Sequence, residues 1–347
     1  MVGIFVAVRR LLRRMRERPE DRSSVRADGG VVADERRPGG SGPGLLDRLA
    51  GPIDSRLGGD FLESSPFWLP PFLLMALFVY GAILWNLMIS LTDYHGFANA
   101  PDYSHLDLQM YARALSDPGF RDAAVNTLVL LVAFTVVTLA LGLVLAILVD
   151  RGIRFENSFR VVYLLPMSLS FVVTAQFWLW MYNYNNGVAN IVLGAVGLGP
   201  VHWIGNQDIV LWAVILALVW QFSGYAMVVY LAGLRAIPTE HYEAAQVDGA
   251  STLSMYRRVI VPQLKGATIS ASVVLMVFAL KAFDFLYSLV SGYRPPNGAD
   301  ILATKMVREA YANLNWAYGA AIAIVLFAMA LAVVGPYLVY QYRRDNL

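Results

Sequence analysis

Cysteine is absent from the chain, so neither disulfides nor thiolate metal sites can form. Histidine is nearly as scarce. His95, His105, His202 and His241 are scattered, with no pair at the spacing that sets two imidazoles on one helix face, and no metal site is expected. Charge is also thin: Asp, Glu, Lys and Arg make up 15% of the residues, against about 25% in soluble domains. The net charge of +2 is too small to point to nucleic acid. No Gly-x-x-x-x-Gly-Lys-Ser/Thr phosphate loop occurs, so the chain is not expected to hydrolyse ATP by itself.

What the chain has is apolar length: 57% of its residues are hydrophobic and its mean hydropathy is +0.53. Six stretches, 69–91, 124–149, 161–182, 209–234, 267–290 and 317–340, can each cross a hydrocarbon core of ~30 Å, which takes about 20 helical residues. Five contain no Asp, Glu, Lys or Arg, and the fifth in order holds Lys281 and Asp284. The expectation is an all-α integral membrane protein with six transmembrane helices over residues 67–345.

Residues 1–66 read as an Arg-rich tail. An apolar start is followed by Arg9, Arg10, Arg13, Arg14, Arg16 and Arg18, the reverse of a signal peptide's order. The stretch 19–59 is rich in Gly, Pro, Ser and Arg, so the tail is expected to be largely disordered and cytoplasmic. A short amphipathic segment, with Leu11, Leu12 and Met15 on anionic lipid, is the alternative.

Orientation follows the basic residues, which collect on the cytoplasmic side. The loop after the second span holds Arg151, Arg154 and Arg160; the next on that side holds Arg235, Arg257, Arg258 and Lys265; the C-terminal tail adds Arg343 and Arg344. The loop 183–208 has neither Lys nor Arg, while Arg294, Lys305 and Arg308 break the trend. Both termini are expected in the cytoplasm. The apolar, glycine-containing loop 183–208 leaves open a short interfacial helix or a plain connector anchored by Trp203.

The loop 235–265 carries more structure than a solvated connector needs. Pro238 opens a helix with Thr239 and Glu240 in its first turn. Gly249 fits a helix C-terminal position. A second helix, with Leu253, Tyr256, Val259 and Ile260 on one face, is expected to end before Pro262. Such a helix-turn-helix is built to dock on another protein.

Glu243-Ala244-Ala245, Gly249 four residues on and the closing Pro262 resemble the EAA loop of ABC importer permeases. Val259 and Val261 stand where that family usually has Ile and Leu. The resemblance runs over about residues 68–345 and narrows to the binding-protein-dependent, maltose-type sugar branch. It does so through Asp117-Pro118 with Asn126-Thr127, Phe159-Arg160 before Leu165-Pro166, Gly187 with Asn190, Trp220, and Gly233 to Pro238. One departure is Ser291-Gly292-Tyr293-Arg294-Pro295-Pro296, where the branch usually has a Gly-Gly-Pro turn.

The resemblance implies a type I ABC permease fold in a prokaryotic cell membrane and a passive subunit of an ATP-driven sugar importer. Its partners would be a second homologous permease, two cytoplasmic ATPase subunits that bind ATP and Mg, and an extracytoplasmic solute-binding protein. This chain itself would hold no cofactor and touch lipid and sugar but no nucleic acid. Glu243, Ala244, Ala245, Asp248, Gly249 and Pro262 would form the ATPase-coupling element. Ser170, Trp220, Gln221, Tyr225, Phe278, Lys281, Asp284 and Tyr287 are the candidate pathway residues, because sugar sites combine aromatic faces with polar groups that hydrogen-bond hydroxyls. Gln221 and Tyr225 stand i and i+4 in an otherwise apolar span. Charges inside a span are functional-site candidates, and for Lys281 and Asp284 a local ion pair that fixes packing is the other reading. A polyol or glycerol-phosphate-type solute remains an alternative to a sugar. An ion-driven secondary transporter would be expected to show paired inverted repeats, and no clear internal repeat is visible.

Overall fold

In a computed structural model of the chain, residues 64–97, 100–151 and 156–345 are described. The tail expected over residues 1–66 lies, up to residue 63, outside them, as does Arg154. The chain divides into two units, Met1–Pro70 and Pro71–Leu347. Of the first, only the start of one helix is described; the second is a helical bundle. Among the described residues every regular element is helical.

The elements are α1 (Ser65–Ser90), α2 (Gln109–Ser116), α3 (Pro118–Asp150), α4 (Glu156–Leu164), α5 (Phe171–Met181), α6 (Val188–Ala195) and α7 (Val210–Arg235). They continue as α8 (Thr239–Val247), α9 (Thr252–Gln263), α10 (Lys265–Leu280), α11 (Phe283–Val290), α12 (Leu302–Val307) and α13 (Trp316–Asp345). Helices α1, α3, α7 and α13 each have the length and apolarity to cross a membrane, and two bent helix pairs raise the number to as many as six if each pair is one span. Helix α3 shows why the longest one starts where it does. Asp117 sits in extended conformation and accepts a hydrogen bond from the Gly119 N–H at 2.9 Å, with Pro118 in the first turn.

The stretches 161–182 and 267–290 are not single straight helices. Helix α4 runs into a 3-10 turn, Leu165–Ser168, and α5 leaves it at 101°. Pro166 has no N–H to continue an α-helix, and the Ser170 hydroxyl caps α5 by accepting from the Val173 N–H at 3.3 Å. The turn fits against α7 because residue 224 is glycine: a Cβ there would lie 1.8 Å from the Tyr163 carbonyl oxygen. In the second stretch α10 stops at Leu280, and α11 begins after Lys281 and Ala282. At its other end α10 meets α9 at 68°.

Helix α7 is the centre of the bundle. In its most apolar window 72% of residues are buried, against 33% for α3 and 6% for α1 and α13. Its principal partner is α3. The two approach closely at Gly142, where a Cβ would come within 2.4 Å of the Ala226 Cβ. Small residues at such crossings let membrane helices gain backbone contact that bulkier ones forbid. Leu130 and Phe134 of α3, Val214 and Leu218 of α7, Leu275 of α10 and Phe285 and Leu286 of α11 fill the core. The outer helices leave Leu77, Phe78, Leu84 and Val136 exposed, as lipid-facing surfaces do.

Candidate functional site

The end of the bundle that carries Arg151, Arg235, Arg257 and Arg258 is covered by the α8–α9 pair. Helix α8 follows Pro238 and ends in a Schellman arrangement. The Gly249 N–H donates to the Gln246 carbonyl and the Ala250 N–H to that of Ala245, both at 3.0 Å, with Gly249 at φ +73°. The Ser251 hydroxyl then caps α9. Contrary to the sequence expectation, α9 does not stop before Pro262 but runs through it to Gln263. A π turn over Tyr256–Ile260 widens the helix just ahead of the proline, whose ring would collide with a regular α-turn. Leu253, expected on the inward face, is instead 79% exposed, while Tyr256 and Ile260 are buried.

Ala245, Tyr256 and Ile260 pack under the pair with Met227, Leu231 and Leu234 of α7. Ala245 is thus a packing residue, whereas Glu243, Ala244, Asp248, Gly249 and Pro262 are exposed. His241 and Gln263 join the two helices at 3.0 Å. Burial, with the Asp150 carboxylate and Tyr256 nearby, pushes the Tyr242 phenol up to about 12. Glu156 holds Arg160 at 2.7 Å and Arg235 at 2.5 Å, tying the start of α4 to the end of α7. The result is a rigid two-helix platform with Val247 and Leu253 pointing away from the bundle.

Most of the candidate pathway residues gather around the break between α4 and α5. The Gln221 side chain is buried, and its Nε2 donates at 3.0 Å to the Leu169 carbonyl, which the break frees from helical bonding. Its Oε1 has no hydrogen-bond partner among the described residues. Trp220 stacks on Phe177 with ring centroids 5.5 Å apart. Phe278 packs at 4.6 Å from Phe222 and 6.1 Å from Phe171. Ser170 is exposed beside them, and Tyr225 is half-buried one turn beyond Gln221. Tyr287 lies on α11 against Phe283 and Tyr293.

Lys281 lies in the gap between α10 and α11 and Asp284 in the first turn of α11, both exposed and with no ion pair between them. The packing ion pair weighed from the sequence is therefore not formed. The sequence reading missed Phe171, whose ring touches Phe222, Phe278 and Phe285 and so joins three helices. Its position just after the Pro166 break and the Ser170 cap was the available signal.

At the opposite end, ion pairs explain two of the three basic residues that broke the charge trend, Lys305 and Arg308. Lys305, with a side chain 7% exposed, meets Asp117 at 2.8 Å, and Tyr318 donates to the same carboxylate oxygen at 2.8 Å. Arg308 pairs with Asp300 at 2.5 Å. Asn126 donates to the Asp300 carbonyl at 2.9 Å, and the Thr127 hydroxyl accepts from the Leu302 N–H at 2.9 Å. These bonds fasten the start of α3 to α12 and α13. In the loop before α7 a short helix, α6, does form. Asn190 on it donates to the Tyr184 and Val201 carbonyls and accepts from the Val201 N–H and the Trp203 indole, all at 2.9–3.0 Å. Trp203 is therefore held by that amide as well as stacked on Tyr182.

A bundle of this topology, with long apolar helices, two bent helix pairs and a two-helix unit at one end, defines a multi-pass membrane protein. Among solved structures it is similar to a chain of a bacterial ABC transporter that imports the acidic polysaccharide alginate. The TM-score is 0.70 at 22% identity, covering 86% of this chain and 99% of that one, a likeness of fold. Residues 138–344 match the family described as the binding-protein-dependent transport system inner membrane component, and the chain belongs to it. It is 62% identical over 291 residues to the xylose/arabinose import permease protein XacH of Haloferax volcanii, covering 84% of this chain and 92% of that one. It is 30% identical over 282 residues to the trehalose/maltose transport system permease protein MalF of Thermococcus litoralis, covering 80% and 93%.

Proposed function

We propose that this chain is a permease subunit of an ATP-driven, binding-protein-dependent importer of sugars, with pentoses as its solute class. The observation that carries this reading is the 62% identity to a xylose/arabinose permease over nearly its whole length. The chain then forms one half of the path, beside a second homologous permease. Two cytoplasmic ATPase subunits supply the energy, and a solute-binding protein delivers the sugar from outside. The chain is not itself an enzyme, and ATP and Mg bind to the ATPase partners.

Both termini lie in the cytoplasm, which puts the Arg-rich end and the α8–α9 platform on that side. Glu243, Ala244, Asp248, Gly249 and Pro262 meet the ATPase, with Val247 and Leu253 as apolar anchors, while Ala245 locks α8 onto α7. The pathway residues are Ser170, Trp220, Gln221, Tyr225, Phe278, Lys281, Asp284 and Tyr287. The unpartnered Gln221 oxygen is suited to accept from a sugar hydroxyl, since a buried polar atom left unpaired costs about 1–3 kcal/mol.

The test is uptake of D-xylose and L-arabinose by the assembled complex in proteoliposomes, comparing wild type with Glu243→Ala and Gly249→Asp. Glu243 is exposed and its truncation cannot unfold the bundle. Gly249 sits at φ +73°, where any other residue is strained. Both variants are expected to insert normally but to lose ATPase association and uptake together. Uptake that persists without an ATPase subunit would sink the reading.

A further inference from the structure

A cavity of about 650 Å³ opens at the Arg-rich end between α7, α10 and α13. Its polar wall is made by Gln263, Ser270, Tyr337, Tyr340 and Gln341, and among the described residues no Asp, Glu, Lys or Arg lines it. The Ser270 and Tyr337 hydroxyls face each other at 3.4 Å, a long contact that can open to admit a third hydroxyl. Small residues make the room: Gly233, Gly266 and Ala267 line the same space.

The cavity continues the stripe of α7 that bears Tyr225. Val229 and Gly233, which line it, are four and eight residues beyond Tyr225 and lie on the same helix face. Hydroxyls, amides and two aromatic rings without a charge are the chemistry of a neutral polyhydroxylated ligand. A lipid phosphate would find no counter-charge among the described lining residues; Lys265 lies over the Tyr340 ring at 6.0 Å and outside the lining. The volume falls within the roughly 300–1,000 Å³ of ligand sites and exceeds what one pentose fills.

We propose that this cavity is a second station for the transported solute on the cytoplasmic half of the path, binding a neutral sugar through Ser270 and Tyr337. The inference rests on the import reading. It adds α13 to the solute-contacting elements, which the candidate residues confined to α5, α7, α10 and α11.

The absence of cysteine makes the station directly testable. In the assembled complex, with no reactive thiol in the other subunits, Ala267→Cys places one thiol in the cavity wall. Its rate of reaction with a membrane-impermeant methanethiosulfonate, added on the cytoplasmic side, is read with and without D-xylose or L-arabinose. Saturating pentose is expected to slow labelling severalfold, while sodium chloride of equal osmolarity leaves it unchanged. Adding Tyr337→Phe should raise the half-protecting concentration about five-fold, the value of one hydroxyl hydrogen bond.

A thiol that pentose does not protect, or one that never reacts because a neighbouring subunit fills the space, overturns the proposal. So does slowing produced by phosphatidylglycerol vesicles in place of phosphatidylcholine without sugar, which would make the occupant a lipid. Should Ala267→Cys fail to assemble, Gln341→Cys on the exposed rim replaces it. Pentose uptake is measured on the same vesicles. Uptake with an unprotected thiol removes the station and leaves import standing; protection without uptake removes the import reading instead.

Discussion

The Asp117–Lys305 contact allows a quantitative trial, because each partner can be neutralised without disturbing its shape. Asp117→Asn keeps the α3 cap, since Asn serves that position as well as Asp. Lys305→Met keeps the apolar stem. With the Lys305 side chain only 7% exposed, Asp117→Asn strands an ammonium in the bundle. The cost of breaking a buried pair is about 3–5 kcal/mol. The carboxylate is 27% exposed, so roughly 3 kcal/mol is expected. Lys305→Met should cost less, roughly 1–2 kcal/mol, because Tyr318 and the Gly119 N–H still serve the carboxylate.

The double variant then closes a cycle with a coupling energy of about 2 kcal/mol. Thermal midpoints of the detergent-solubilised protein read it, at roughly 2 °C per kcal/mol. Acid supplies a second check. Burial by itself would raise the Asp117 pKa, but hydrogen bonds from Lys305, Tyr318 and Gly119, with the Lys305 charge, hold it below the usual carboxylate value. A group whose pKa is lower in the folded state stabilises above its unfolded pKa of about 4 and loses that contribution as pH falls through the folded value. The coupling should therefore be full at pH 7 and fade below about pH 4. A coupling under about 0.5 kcal/mol at pH 7, or one that acid leaves unchanged, would refute the argument.

Other positions give further trials. Gly142→Ala should cost about 1–3 kcal/mol through overpacking of α3 on α7. Ala226→Gly should restore only part of it, because the Ala226 and Met227 backbone atoms at 2.9 Å remain; full rescue would mean that the helices separate freely. Asn190→Ala removes four hydrogen bonds and should cost about 2–4 kcal/mol locally. Faster protease cleavage in the loop 196–209 is the readout, and wild-type cleavage would show that the amide is no anchor. Gln221→Leu should leave stability within about 1 kcal/mol, because the lost bond to Leu169 is offset by the lost unpaired oxygen. Its sugar uptake should fall severalfold, and unchanged uptake would remove Gln221 from the path.

The helical class and the number of apolar stretches follow from the sequence because lipid offers the backbone no hydrogen bonds, so each run of about 20 apolar residues must satisfy its own. The α8–α9 platform was legible for a local reason: Pro238 and Gly249 act on their own turns. Even there the π turn that carries α9 through Pro262 leaves no mark in composition, and neither does the exposure of Leu253.

Other features depended on residues far apart in the chain. Nothing near Lys305 announces Asp117, 188 positions away, yet their pairing turns an apparent exception to the charge rule into a neutral clasp. Pro166 was visible as a residue type, but the 101° angle at that break was set by what packs beside it, such as the Gly224 surface under Tyr163. Sequence patterning decided which segments enter the membrane, because that is a local transfer free energy. Tertiary structure decided which of their polar side chains are buried, paired or left without a partner, because those depend on contacts between helices.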